Sequence, residues 1–331
     1  MSNKKMIINA MNVHSGGGLT ILKTLLDQTQ SIDRIVFIDK RANTDFSNLP
    51  NVHFVSPTIF GRLFAEYKIF RLSRNTDFLF SVGNLPPLFR CKCMVYVYIH
   101  NIFLFDKTYL NTLNLNIKLR IWIETLWINY FFKTEYNAIV QTPSMKRLFE
   151  QKFDNKATVI PLSPSVAKIQ SYRGKMKFDF IYISNNLAYK NHKNLLKGWM
   201  ELAESGIFPS LALTISEDEL RDFSKELLLD LGTLNIFCLG HLSHQATMNA
   251  LKKSKCLIFP SLVESFGLPL IEAKKLNIPI IASEKDFVRD TVVPKETFDP
   301  LSSLSIKRAV TRFLKVNMSS YEEKNISTLF F

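Results

Sequence analysis

Glu264 and Glu272 stand at the two ends of Glu264-Ser265-Phe266-Gly267-Leu268-Pro269-Leu270-Ile271-Glu272. The run before them, Cys256-Leu257-Ile258-Phe259-Pro260-Ser261, reads as a buried strand, and Pro269 falls where a helix would start. A strand, a glycine-containing loop and a helix together offer backbone N–H groups to a phosphate. Carboxylates on each side of those donors add hydroxyl recognition. One can reach hydroxyls beyond the phosphate, and the other can reach a ribose from the first helical turn. That is the chemistry of holding a nucleotide-sugar. The spacing alone is weak, because the helix dipole by itself favours a glutamate in a first turn. Its weight comes from the neighbouring Pro260-Ser261, Ser265-Phe266-Gly267 and Pro269.

Two further places can do chemistry. Gly16-Gly17-Gly18 follows the first strand-like run, Met6–Asn9, and precedes a helical pattern. Three consecutive glycines let a ligand approach backbone amides, and the helix after them adds positive potential. This is not the dinucleotide G-x-G-x-x-G pattern, since Ile21 stands where its last glycine would be. His100 comes directly after the run Met94–Ile99, and the C-terminal end of a parallel strand is where active-site groups collect. On its own such a histidine is more often a satisfied core residue. The remaining histidines show no metal spacing.

The elements that must position these residues alternate. Strand-like runs occur at Met6–Asn9, Arg34–Ile38, Phe78–Ser81, Met94–Ile99 and Ala138–Gln141, then at Phe178–Ile183, Leu211–Ser216, Asn235–Leu239, Leu257–Phe259 and Ile278–Ala282. Helical patterns between them predict an α/β protein with covered parallel sheets. Two prolines in Val159-Ile160-Pro161-Leu162-Ser163-Pro164 mark the expected linker. The expected division is residues 1–165, 166–302 and a helical segment 303–331 that crosses back to the first domain.

Composition sets the class. A length of 331 residues with 47% hydrophobic content suits a two-domain soluble enzyme. No apolar run reaches the eighteen residues of a spanning helix, and Met6–Val13 is too short and too broken by Asn9 and Asn12 for a signal peptide. Cys91, Cys93, Cys238 and Cys256 form no framework and are expected as reduced thiols in the cytoplasm. The net charge is +13; residues 1–165 hold 20 basic against 11 acidic side chains, and the rest 22 against 18. An excess concentrated in the first half suggests an anionic partner there. With no nucleic-acid module or Lys/Arg run, an anionic membrane surface fits better than nucleic acid. The strongest membrane candidate is Asn114–Lys133, where Leu115, Leu119, Trp122, Ile123, Leu126, Trp127 and Tyr130 recur at helical spacing beside Lys118 and Arg120. An ordinary helix packed on a sheet has the same periodicity.

Pro260-Ser261-Leu262-Val263-Glu264-Ser265-Phe266-Gly267-Leu268-Pro269-Leu270-Ile271-Glu272-Ala273 resembles the E-x7-E signature of family 4 retaining glycosyltransferases. The resemblance implies the GT-B architecture, two facing Rossmann-like domains with a cleft between them. It places Gly16, Gly17 and Gly18 near the donor phosphates and His100 against the donor sugar, and Gly240 in Leu239-Gly240-His241 at the nucleotide base. Ile139-Val140-Gln141-Thr142-Pro143-Ser144 resembles the family's turn near the end of the first domain, where Thr142 or Ser144 would cap a helix. In Ser184-Asn185-Asn186-Leu187-Ala188-Tyr189-Lys190-Asn191-His192-Lys193-Asn194, Lys193 fits the family's diphosphate-binding lysine. The arginine expected about five residues earlier is absent, and Lys190 is the candidate for the second charge.

The resemblance therefore implies transfer with retention, in which the leaving diphosphate accepts the acceptor's proton. Lys193, Lys190 and the amides of Ser265, Phe266, Gly267 and Leu268 would carry the leaving charge. Glu264 would bind sugar hydroxyls, Glu272 ribose, and His100 the reaction centre. No metal or other cofactor is expected. The expected partners are a nucleotide-sugar, a lipid-linked glycan acceptor of surface polysaccharide (O-antigen or capsule), and an anionic membrane at its cytoplasmic face. The alternatives are a GT-B epimerase or phosphorylase, and a catalytically silent partner that binds nucleotide-sugar or lipid glycan.

Overall fold

The computed structural model describes residues 4–14, 16–42, 46–164, 174–228 and 230–315. Among them are two all-parallel sheets. The first is built from β1 (Lys5–Ala10), β2 (Asp33–Asp39), β3 (Val52–Val55), β4 (Phe78–Ser81), β5 (Met94–Ile99), β6 (Asn137–Val140) and β7 (Ala157–Val159), in the order β3-β2-β1-β4-β5-β6-β7. The second holds β8 (Phe178–Tyr182), β9 (Leu211–Leu213), β10 (Ile236–Cys238), β11 (Ser254–Phe259), β12 (Ile280–Ser283) and β13 (Glu296–Phe298), in the order β10-β9-β8-β11-β12-β13.

The apolar runs are continuous because both faces of each sheet are covered. Along β1, Ile7 joins one core while Met6, Ile8 and Ala10 join another on the opposite face. Along β5 the same alternation sends Val95, Val97 and Ile99 one way and Tyr98 the other. Helices α1 (Gly16–Gln28), α2 (Ile59–Leu72), α3 (Leu115–Phe131) and α4 (Pro143–Lys152) belong to the first domain. The second has α5 (His192–Glu204), α6 (Glu217–Leu227), α7 (His244–Lys252), α8 (Leu268–Lys275), α9 (Asp286–Thr291) and α10 (Ser303–Leu314). Thr142 caps α4 by accepting a hydrogen bond from the Met145 amide at 3.2 Å.

Three edge strands, β3, β7 and β13, lie where the sequence pattern predicts none, and β7 occupies the start of the expected linker. The junction at 165–173 and the residues after 315 lie outside the described chain. Within it, α10 packs on α5, where Gly198 lets Ile306 approach to 3.1 Å of an added Cβ.

The domains touch. The Ser144 amide donates to Asp290 at 2.8 Å and Arg147 pairs with Asp286 at 2.6 Å. Val263 packs within the first domain's core, and Leu187 and Tyr189 pack against it.

Candidate active site

Two loops of the second domain are locked together. Asn191, in the left-handed conformation with φ 64°, is buried and donates through Nδ2 to the Pro260 carbonyl at 3.1 Å and to Pro300 at 2.7 Å. The Leu262 amide donates to the Tyr189 carbonyl at 2.8 Å, and Tyr182 Oη lies 2.7 Å from the Lys190 carbonyl and 3.0 Å from Ser261 Oγ. This cradle aims Lys190 at Glu264, with Nζ to Oε1 at 2.5 Å and both side chains largely buried. Burial works against the lysine's charge, but the Glu264 carboxylate more than offsets it, and Lys190 titrates above the ordinary lysine range.

Gly267 then caps α8 in the left-handed conformation, φ 74°. A Cβ there would come 2.9 Å from Leu270 Cδ1, so both backbone angle and space call for glycine. Phe266 anchors the turn in the interior, and the first amides of α8 begin at Leu268. Glu272 lies in the second turn of α8, buried, with Oε1 2.8 Å from His244 Nε2. Burial pushes its carboxyl up, and the His244 hydrogen bond pulls it partly back. Sequence reasoning missed His244: a lone histidine opening a helix carries no signal until its partner is known. Gly240, with φ 68°, faces open space in the loop that leads to His244.

The first domain supplies the opposite wall. Gly16, Gly17 and Gly18 form the first turn of α1. A Cβ on Gly17 would lie 3.6 Å from Leu268 Cδ1 of the other domain, and one on Gly18 would lie 3.7 Å from His100 Nε2. The His100 amide is held by Asn84 Oδ1 at 2.8 Å, while its Nδ1 is buried without a partner. Burial, helped by nearby Arg120, lowers the imidazole pKa to about 4, so the ring is neutral at pH 7. The Ile102 amide crosses the cleft to Ser265 Oγ at 3.0 Å. The structure thus gathers His100, Gly17, Gly18, Lys190, Glu264, Ser265 and Leu268 around one cleft.

Lys193 is placed differently. It is the second residue of α5, and its amine pairs with Glu226 at the surface, both side chains about half exposed. Lys190, not Lys193, reaches Glu264. The buried set His192, Leu195, Leu196, Trp199 and Leu202 fixes the inner face of α5, and Lys193 is off that face. That periodicity was present in the sequence.

Beside Glu264 the cleft holds a cavity of about 270 Å³. Ile102, Phe103 and Ile121 wall it from the first domain, Leu187, Tyr189 and Val263 from the second, and Arg120 and Asn101 supply polar groups. Among the described residues no cluster of three His, Cys, Asp or Glu side chains is arranged to hold a metal.

Two facing Rossmann-like domains with the site between their strand ends define the GT-B fold of glycosyltransferases. Residues 167–326 match the family model described as Glycosyl transferases group 1. A curated relative, an uncharacterized glycosyltransferase of Methanocaldococcus jannaschii, is 28% identical over 245 residues. That match covers 69% of this chain and 53% of the relative, so the chain spans about half the length of the curated relative it matches. Among solved structures, sucrose-phosphate synthase from Thermosynechococcus elongatus superposes with a TM-score of 0.69 at 14% identity, covering 95% of this chain and 90% of that one. HepE of Anabaena in complex with UDP-glucose also gives 0.69, at 15% identity, covering 94% and 90%. At such identities the likeness establishes the fold, and the match over residues 167–326 is to a glycosyltransferase family model.

Proposed function

We propose that this protein is a retaining, metal-independent glycosyltransferase. It would move a sugar from a nucleotide-sugar to a hydroxyl of a lipid-linked glycan in surface-polysaccharide synthesis, at the cytoplasmic face of an anionic membrane. The observation that carries the reading is the Lys190–Glu264 pair beside the start of α8, across the cleft from His100 and the α1 glycines. A diphosphate at the first turn of α8 meets backbone N–H groups and the helix dipole. Lys190 neutralises the charge that grows on the leaving group, and Glu264 turns to the sugar hydroxyls. Glu272 takes the ribose, with His244 setting its orientation. The neutral His100 ring offers a hydrogen bond at the reacting carbon without a competing charge. The leaving diphosphate accepts the acceptor's proton on the same face, so no first-domain carboxylate base is required.

A UDP-sugar is the first donor to try, because HepE, which shares the fold, is solved with UDP-glucose. The test is a thermal-shift panel of UDP-, GDP-, ADP- and dTDP-sugars, followed by NMR of the anomer formed by slow donor hydrolysis. A selective stabilisation abolished in Glu272→Ala, with a retained anomer, is the expected result. Folded protein that responds to no donor sinks the donor reading, and an inverted anomer sinks retention.

A further inference from the structure

Helices α2 and α3 are built inside out. Each carries a single acidic residue, Glu66 on α2 and Glu124 on α3, and both carboxylates are buried. Ile69, Ile121 and Ile128 are buried beside them, but most of the large apolar side chains point the other way. Ile59, Phe60 and Phe64 on α2 are 78%, 85% and 71% exposed, and Leu119, Trp122 and Leu126 on α3 are each about half exposed. An ordinary amphipathic helix buries such a stripe. The two helices are neighbours, with the Arg62 guanidinium of α2 4.9 Å from the ring centroid of Trp127 on α3. The Trp127 indole is in turn fixed to the Pro86 carbonyl at 2.9 Å.

The charge flanking this face is basic. Lys68, Arg71 and Lys118 lie on the same two helices, Arg120 pairs with the buried Glu124 at 2.8 Å, and neither helix has an acid outside the buried pair. Apolar and aromatic side chains interleaved with bases, with acids withdrawn, suit the headgroup–acyl boundary of an anionic bilayer. A second copy docking on the same face would set basic rim against basic rim, which disfavours a self-contact.

We infer that α2 and α3 together form a lipid-docking face that seats the first domain on an anionic membrane. The inner side of α3 continues this geometry, since Ile117, Arg120 and Ile121 line the cleft cavity next to Glu264. Docking through the outer side of α3 brings that cavity to headgroup level, where a lipid-linked acceptor presents its glycan. The entry of an acceptor rests on the function proposed above; the docking itself does not.

The test is vesicle flotation of the full chain, with phosphatidylcholine alone and with phosphatidylcholine mixed with phosphatidylglycerol. Two double variants, Phe60→Ser with Phe64→Ser and Trp122→Ser with Leu126→Ser, change exposed side chains only. The wild type should float with the anionic vesicles and weaken as salt rises, and each double variant should partition at least about tenfold less. No flotation with either vesicle, or flotation undiminished in both variants, overturns the inference. So does a wild-type dimer by sedimentation that the same substitutions dissociate, because the face would then belong to a second copy. Donor-induced thermal shift is read on the same samples. Flotation without a donor response fails the transferase reading and leaves the docking face standing, and the reverse result separates them the other way.

Discussion

On the second-domain wall of the cleft, polar groups are already matched: Lys190 with Glu264, His244 with Glu272, and Asn191 with two carbonyls. On the first-domain side they are less so. Of the seven buried side-chain polar atoms without a hydrogen-bond partner among the described residues, six belong to the first domain, including His14 Nδ1, Arg62 Nε, Glu66 Oε1 (4.0 Å from the Arg62 guanidinium) and His100 Nδ1. The same domain carries the apolar helices α2 and α3 facing outward. Unpaired buried polar groups are costly, and of these the His100 ring stands beside the α1 glycines in the cleft. The second-domain wall is internally paired, and the first-domain wall is less so.

The strongest way to break this contrast is to cut the matched pair. Lys190→Ala leaves the Glu264 carboxylate buried without its cation, which should cost about 3–5 kcal/mol of stability in a denaturant melt. Turnover should fall by roughly 10²–10³, the usual loss when one stabilising donor is removed from a developing anion. Glu264→Ala should lose activity to a similar degree. Stability and activity unchanged in Lys190→Ala would mean that the pair is incidental.

Acid should act on one buried histidine of each domain. Burial lowers His100 to about 4 and His192 to about 3, with Arg120 and Lys190 as the next causes. Both rings are therefore less protonated in the folded than in the unfolded protein below about 6.5. Their contribution is complete above that pH and is lost as pH falls, because the unfolded chain then binds more protons. The slope approaches about 1.4 kcal/mol per pH unit for each histidine, ending near pH 4 for His100 and lower for His192. Melts of His100→Gln between pH 7 and 4.5 should show a shallower decline than wild type. A parallel decline would mean that the His100 ring is accessible to protons in the folded state.

A smaller effect sharpens the contrast at the second-domain loop. Gly267→Ala forces a left-handed residue with a Cβ 2.9 Å from Leu270 Cδ1, and should cost about 1–3 kcal/mol. Donor affinity should weaken with it, because the first amides of α8 shift. A donor Kd that stays constant while the melting temperature drops would detach the loop's geometry from phosphate binding.

How much of this was legible depends on how far each signal reaches along the chain. The central strands announce themselves because sheets covered on both faces demand unbroken apolar runs, as in Met94–Ile99 and Leu257–Phe259. The edges β3, β7 and β13 do not. They are three or four residues long, and His53, Thr158 and Glu296 interrupt them, so their pairing with β2, β6 and β12 makes them strands. The Glu264–Glu272 loop is legible because its chemistry is local. The His244–Glu272 contact spans 28 residues and appears only once α7 and α8 are packed. The outward face of α2 and α3 is the reverse case: the periodicity of α3 shows a stripe, but the side that is buried is the narrower row Ile121, Glu124 and Ile128.

The finest test lies within a single loop, between Lys190 and Lys193. Both are lysines before or within the first turn of α5, and composition cannot rank them. Burial can. Lys190 is fixed in a low-dielectric pocket against a carboxylate, where a charge acts strongly. Lys193 pairs with Glu226 in water, and an exposed pair of that kind contributes about 0–1 kcal/mol. Lys193→Ala should therefore leave the melting temperature nearly unchanged and alter turnover by no more than a few-fold, while Lys190→Ala fails in the same assay. If the two variants lose activity equally, α5 must rotate or its first turn must rearrange when donor binds, bringing Lys193 across from Glu226 to the diphosphate. Pairing each lysine variant with Glu226→Ala distinguishes these cases. Freeing Lys193 from Glu226 should raise donor affinity only if Lys193 has a phosphate to reach.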